Sequence, residues 1–400
     1  MHRSRLFAGA CAGLFVFGAI IALLGTLFGL PEMRARLGID LAQQGELFSV
    51  LFVGLLAATA ISGPVMDRFG HKAVLTGSSV LAAAGLAGFS VSGSFLSAAM
   101  SIAVLGFGGA GLNTATNAIV SDLYPHDRGR MLNLLGIFFG AGALFLPLLK
   151  ATAFGLLSIG GLIGVMVVLA AACALAFAAM PFPPPHEAAG VSFAELVRAA
   201  AYPGVIVFAL LLLVQSGNEA TMSGWITTYI GFMGWPARTA TAVLAGYWAA
   251  VVVGRALFAR LARSVEKKWI VTGCGILGMA GCGLLMASQS LGWLTAAVLA
   301  TSVAFSGIFP TALAMVGDRY HRHAGTVFGF VFTIAALGGM IAPSIVGHLS
   351  QAYGVRVGMT VPLVGAALVA AIAACVRPYG ALDVDRRVAG RQLPGGDGGR

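Results

Sequence analysis

One carboxylate sits where an apolar run should have none. In the stretch GNEATMSGW, residues 217–225, Glu219 lies inside a run of apolar residues from about Tyr202 to Ile230. A charged side chain in a hydrocarbon-like medium costs at least a few kcal/mol unless it is paired or wet. Two readings follow. Glu219 lines a cavity, where it can accept hydrogen bonds from a polar ligand or carry a proton. Alternatively it is neutral and hydrogen-bonds a neighbouring element for packing. Gln215, Asn218, Met222, Trp225 and Tyr229 follow at steps of three or four, so a helix sets them on one face with Glu219. Amides beside aromatic planes suit a small ligand with hydroxyl edges and an apolar face. Trp225 and Tyr229 also fit a second role, as anchors at a membrane–water boundary. Asn113 and Asn117 stand one turn apart and can bond either another helix or a ligand. Tyr247 and Trp248 are further candidates of the same kind.

The elements that carry these residues follow from composition. The chain has 400 residues, 58% hydrophobic and 10% charged, against about 25% charged in soluble domains. Its apolar residues fall in twelve runs: about 6–30, 46–66, 73–93, 95–120, 131–150, 155–180, 203–230, 238–261, 268–288, 291–316, 325–348 and 357–377. About 20 apolar residues cross a bilayer as helix. Strand-like alternation is absent, and a backbone in lipid must satisfy its own hydrogen bonds, so the fold class is an all-α membrane bundle. The first run follows Arg3 and Arg5 but is too long for a signal peptide, and reads as an uncleaved first helix.

Charge orients the bundle. With both termini inside, nineteen of the 24 Lys and Arg fall on the inner side and five outside: Arg34, Arg36, Lys150, Arg238 and Arg356. Arg255 counts here with the inner loop that runs to Lys268. This bias places the chain in a bacterial-type inner (cytoplasmic) membrane with cytoplasmic termini. The net charge of +10 is thereby topology, with lipid rather than nucleic acid as its partner. Thirteen of the 14 acids fall in loops, at helix ends or in the tail, and Glu219 alone is at mid-membrane depth. Gln43, Gln44 and Asn133 lie toward the ends of their runs, Lys150 snorkels, and His348 is structural. The five cysteines all fall in apolar runs without metal-ligand spacing and read as small buried hydrophobes. No phosphate-binding GxxxxGK[ST] pattern or nucleophile–histidine arrangement occurs, so neither an enzyme nor a cofactor is expected.

The chain divides in two. PFPPPHEAAG, residues 181–190, cannot continue a helix. The division is an N-terminal six-helix bundle over 1–180, a cytoplasmic linker over 181–202 with a short amphipathic helix, a C-terminal bundle over 203–377 and a disordered tail over 378–400. The halves echo each other at an offset of 196: Asp122 and Asp318, Tyr124 and Tyr320, Gly129 and Gly325, Gly142 and Gly338, Pro147 and Pro343. Parallel six-helix repeats are a known transporter plan.

Between the second and third runs stands GPVMDRFGHK, residues 63–72. Its Gly63, Asp67, Arg68, Gly70 and Lys72 resemble the loop signature of the major facilitator superfamily. Gly63 allows close helix approach and Gly70 a tight turn. The resemblance implies twelve transmembrane helices in two six-helix parallel repeats. It also implies a gating loop in which Gly63, Asp67, Arg68, Gly70 and Lys72, with Arg128 and Arg130, hold the inner face shut when the outer face is open. The equivalent stretch, residues 254–268, lacks the Asp-Arg-x-Gly core. The stretches NAIVSDLYPHDRGRMLNLLGIFFGAGALFLPLL and NEATMSGWITTYI resemble the fucose permease branch, which includes glucose/mannose:proton symporters.

That branch implies a secondary active transporter that takes up a sugar or similar small polar solute with protons. It works as a monomer by alternating access. Glu219, Asn218, Gln215, Trp225, Asn113, Asn117, Tyr229 and Trp248 are then the substrate-binding set. Glu219 is also the proton-coupling group, since the first run has no acid and the fourth has Asn113 and Asn117. Efflux of amphipathic compounds and a non-transporting sensor are the alternatives, because a fold does not fix a function.

Overall fold

Each apolar run becomes a helix because lipid offers the backbone no other partner. The computed structural model describes residues 2–153, 155–184, 204–320 and 324–376. The linker from residue 185 with its amphipathic helix, the tail over 378–400, and Arg198, Arg322 and Arg377 lie outside the described residues.

The helices are α1 (His2–Phe28), α2 (Pro31–Leu37), α3 (Leu41–Val91), α4 (Phe95–Leu123), α5 (Arg128–Thr152), α6 (Ile159–Ala179), α7 (Val205–Phe232), α8 (Ala237–Leu261), α9 (Lys267–Ala287), α10 (Leu291–Arg319), α11 (Ala324–Tyr353), α12 (Val355–Gly358) and α13 (Thr360–Cys375). No strand occurs among the described residues. Eleven helical segments are long and apolar enough to span a membrane. One of them, α3, has 51 residues, about 76 Å if straight. It is two spans joined at Gly70, whose φ of 78° and ψ of 167° leave the helical region. That conformation suits glycine, as the expected turn requires. The described chain is therefore a multi-pass membrane bundle of twelve spans.

Local sequence sets the helix starts. Asp40 and Gln43 form a reciprocal capping box at α3, as do Ser94 and Ser97 at α4. The small helix α2, in the loop after α1, has no apolar run behind it and was not expected from periodicity. It starts at Pro31 and ends at Gly38, whose φ is 62°.

The buried apolar side chains form two clusters, one within residues 6–177 and one mainly from Val205 onward. Corresponding glycines make corresponding contacts. A Cβ on Gly142 would sit 1.9 Å from the Phe15 carbonyl oxygen of α1, and one on Gly338 would sit 1.8 Å from that of Leu213 in α7. The fifth helix of each half thus packs backbone to backbone on the first. Pro147 and Pro343 lie inside these same two helices.

Among the described residues, the hydrogen bonds and ion pair that cross between halves lie between the middle of the bundle and the face opposite the N-terminus. Gln44 Nε2 donates to Thr228 Oγ1 at 3.0 Å, Ser49 Oγ to the Met340 carbonyl at 2.5 Å, and Arg238 Nε to the Ala151 carbonyl at 3.2 Å. His348 Nε2 faces Glu46 at 3.5 Å. Gly25 lies against Ser223, where a Cβ would be 2.0 Å from the carbonyl oxygen. That face is closed.

Three expectations need correction. Cys375 is exposed, unlike the other four cysteines, because it ends α13 at the surface. Lys150 is only 6% exposed; its Nζ donates to the Leu157 carbonyl at 3.1 Å instead of snorkelling. A Cβ on Gly63 would meet nothing within 4 Å, so no helix approaches closely there.

Candidate functional site

Where the two halves meet, the helices leave a cavity of about 400 Å³, room for one small organic molecule. Its walls come from α1, α3, α4 and α5 of the first half and α7, α8 and α10 of the second. Most of the lining is apolar, with rings from Phe17, Phe48, Phe52, Phe139, Trp248 and Phe309.

Glu219 lies midway along α7 and faces this cavity. Ser216, Ala220 and Ser223 line it beside Glu219, at the spacing of one helix face. Gln215 fixes the carboxylate: its Nε2 donates to Glu219 Oε1 and to the Phe305 carbonyl, both at 3.0 Å. Gln215 is itself fully buried. One turn on, Ser223 Oγ donates to the Glu219 carbonyl at 2.8 Å.

Asn113 and Asn117 line the opposite wall, on α4. Asn117 Nδ2 donates to the Asn113 carbonyl at 2.8 Å and to its Oδ1 at 3.1 Å. The pair is locally ordered, and the Asn117 side-chain oxygen has no bond within it. Trp248, on α8, meets Phe139 edge to face at 6.2 Å. Its indole N–H is buried without a hydrogen-bond partner.

The cavity thus gathers Glu219, Asn113, Asn117 and Trp248. The other residues proposed from sequence are elsewhere. Asn218 is buried against α13, where a Cβ on Gly365 would be 2.0 Å from its Oδ1. Trp225 is fully buried with its ring 6.5 Å from that of Phe48. Tyr229 is buried and donates to the Leu285 carbonyl at 3.1 Å. Tyr247 and Met222 are buried too. The stripe read from sequence is therefore split: its 215/218/222/225/229 register faces protein, and the 216/219/220/223 register faces the cavity. At 3.6 residues per turn the two registers centre on directions roughly 140° apart, and Glu219 belongs to the second, so steps of three or four within the first stripe do not bring it onto that face.

The 63–72 loop lies at the face of the N-terminus, away from the cavity lining. Asp67 has no ion pair among the described residues, and the Arg68 guanidinium stacks on Phe69 at 5.2 Å. Lys72, Arg128 and Arg130 are exposed. His71 Nε2 instead pairs with Asp122 Oδ2 at 3.3 Å.

Sequence reasoning missed Arg255. Counted with the inner loop, it proves to lie on α8 and line the cavity. Its guanidinium rests over the Phe139 ring at 5.7 Å. The signal was present, since Arg255 falls six residues inside the end of an apolar run. The cavity rings were missed because phenylalanines occur all along the chain, 25 in total, and periodicity does not separate a cavity face from a lipid face.

Known proteins resemble this chain in part and in whole. A stretch of 168 residues is 31% identical to the 4-hydroxybenzoate transporter PcaK of Pseudomonas putida, covering 39% of this chain and 36% of that protein. A stretch of 140 residues is 30% identical to the sodium-dependent glucose transporter 1 of Rattus norvegicus, covering 34% of this chain and 28% of that one. The chain therefore spans about a third of the length of these relatives. The Escherichia coli fucose:proton symporter FucP shares the fold, with a TM-score of 0.64 at 19% identity over 95% of this chain and 100% of that chain. The family description Major Facilitator Superfamily matches residues 10–343 and 234–393. With twelve spans in two halves around a central cavity, the chain belongs to the Major Facilitator Superfamily.

Proposed function

We propose that this chain takes up a small polar solute, a sugar or a molecule like it, by proton symport with alternating access. The carrying observation is Glu219, an acid held by Gln215 at the wall of a central cavity that also presents Asn113, Asn117 and Trp248. In the working cycle the cavity first opens outward. Glu219 takes a proton, and the solute bonds the amides and the indole N–H while its apolar face lies on the rings. The halves then rock, exposing the cavity to the cytoplasm, where proton and solute leave. A bundle sealed on the face opposite the N-terminus corresponds to that release state. Gln215 keeps the carboxylate aimed at the cavity. The loop of Gly63, Asp67, Arg68, Gly70 and Lys72, with Arg128 and Arg130, closes the inner face when the outer one opens. One chain contains the whole cavity, so a monomer suffices. The setting is the inner membrane with both termini cytoplasmic. The partial relatives that transport glucose and 4-hydroxybenzoate support a solute of this size.

The test is uptake into proteoliposomes of a panel of sugars and small polar organic solutes. Arms with an inward proton gradient, an inward sodium gradient and no gradient run in parallel. Accumulation driven by the proton gradient alone is the expected result. If no panel member accumulates under it, or if only sodium drives accumulation, the reading fails.

A further inference from the structure

Two opposite charges line this cavity, and no ion pair joins them. Glu219 is held by Gln215, and Arg255 rests over the Phe139 ring. Both side chains line the same cavity. Tyr247 is buried beside Trp248, its ring edge to face with the indole at 5.4 Å. The described lining contributed by α1, α3, α4, α5 and α10 has no further ionisable side chain. Among the described lining residues, Arg255 is therefore the one cation and Glu219 the one acid.

Arg255 is half-buried in a largely apolar lining, where few protein groups can answer its charge. Its planar fork matches a carboxylate in two parallel hydrogen bonds. Resting on an aromatic ring leaves that fork free of a carboxylate in this state.

We infer that Arg255 binds the carboxylate of an organic monoanion, and that Glu219 and this anion alternate as its counter-charge. The inference rests on the proton-symport reading and names the solute within it: a hydroxylated monocarboxylic acid, whether a sugar acid or an aromatic hydroxy acid. The hydroxyls meet Asn113, Asn117 and the Trp248 N–H, and the carbon body lies on the rings. Protonation removes the charge of Glu219 and leaves the cavity one positive charge in excess, which draws in the anion. When the proton leaves, the Glu219 carboxylate competes for Arg255 and the anion is released. One proton moves with one monoanion, so each cycle carries no net charge. A neutral sugar with one proton would carry one positive charge.

The experiment uses the purified full chain and three matched pairs, each an acid and its primary amide: 4-hydroxybenzoate, glucuronate and lactate. Binding is read by tryptophan fluorescence, since Trp248 lines the site, and by thermal shift. Flux is read in proteoliposomes under a pH gradient or under a potassium-diffusion potential. At least one acid is expected to bind while its amide does not, and more tightly in mildly acid than in mildly alkaline buffer. Arg255→Gln is expected to weaken that acid by about 10- to 100-fold, the worth of a charge-assisted hydrogen bond. Arg255→Lys falls between, and Glu219→Gln removes the pH dependence of binding. The pH gradient drives accumulation and the potential alone does not. Which pair responds separates sugar acids from aromatic acids.

The inference is overturned if amides bind as well as acids, if no pair binds, or if Arg255→Gln binds acids like the parent. A Glu219→Gln protein that keeps the parent's pH dependence also overturns it. If acids bind through Arg255 and exchange across the membrane but no proton gradient accumulates them, the symport reading fails and the anion site stands. If neutral sugars accumulate with protons and no acid binds, the reverse holds.

Discussion

His71 Nε2 stands 3.3 Å from Asp122 Oδ2, and Lys267 is paired with Asp318. Each partner of the second pair is displaced by 196 residues from its counterpart in the first. The two halves therefore repeat a helix-end contact as well as a helix plan, with one chemical change. Lysine keeps its charge across the neutral range, whereas histidine is charged only when protonated. The acids are 58% and 59% exposed, so each pair is worth about 0–1 kcal/mol. Asp318→Asn is expected to lower thermal stability slightly in acid and alkaline buffers alike. Asp122→Asn does so only in acid buffer, because the ionic part of the His71 pair is present when the ring is protonated and is lost as pH rises. Melting curves of both variants in both buffers check this; equal pH dependence counts against the asymmetry.

Glu219→Gln keeps the shape of the side chain and its contact with Gln215 but cannot exchange a proton. Gradient-driven accumulation is expected to vanish, while solute exchange at equal concentrations continues at a rate within about tenfold of the parent, the span of 1.4 kcal/mol. Comparing the two assays decides it. Unchanged accumulation removes Glu219 as the coupling group.

The residues at the cavity and those behind it should separate in kinetics. Asn113→Ala and Asn117→Ala each remove a polar group from the lining and are expected to raise KM. Tyr229→Phe removes the hydrogen bond to the Leu285 carbonyl, worth about 0.5–1.5 kcal/mol of stability, and is expected to leave KM within twofold. A KM shift for Tyr229→Phe equal to that of the asparagine variants would place Tyr229 at the solute in another state of the cycle.

Gly142→Ala and Gly338→Ala both push a Cβ into a facing carbonyl oxygen. Backbone cannot move aside as a side-chain tip can, so a loss of about 1–3 kcal/mol or more is expected for each. Matched falls in melting temperature would show that the two halves depend equally on the same contact.

Gly25→Val tests the seal. Its added atoms meet the Ser223 and Gly224 backbone across the closed face. The variant is expected to favour the state open at that face. Spin labels at positions 43 and 353 should then move apart. An unchanged distance distribution means that this contact does not hold the face shut.

The sequence by itself determined the membrane bundle, its twelve spans and its internal repeat. Lipid leaves the backbone one solution, so hydropathy and length suffice for the spans, and matched glycines and acids at a fixed offset suffice for the repeat. It also singled out Glu219, since an acid inside an apolar run is costly wherever the helix lies. It did not determine which face of α7 meets the cavity. Gln215 is as close to Glu219 in helical register as Ser223 is, four residues away, whereas Asn218, Trp225 and Tyr229 are turned roughly 80–120° from it. Only the packing of α9, α10 and α13 decided which of them are covered. Arg255 is the same lesson with the opposite sign. Near the end of an apolar run it reads as a loop charge. Whether such a residue reaches water outside or a cavity within depends on helix tilt and neighbours, which are set by contacts hundreds of residues apart in the chain. Side-chain chemistry is local, but the surface that a side chain faces belongs to the whole bundle.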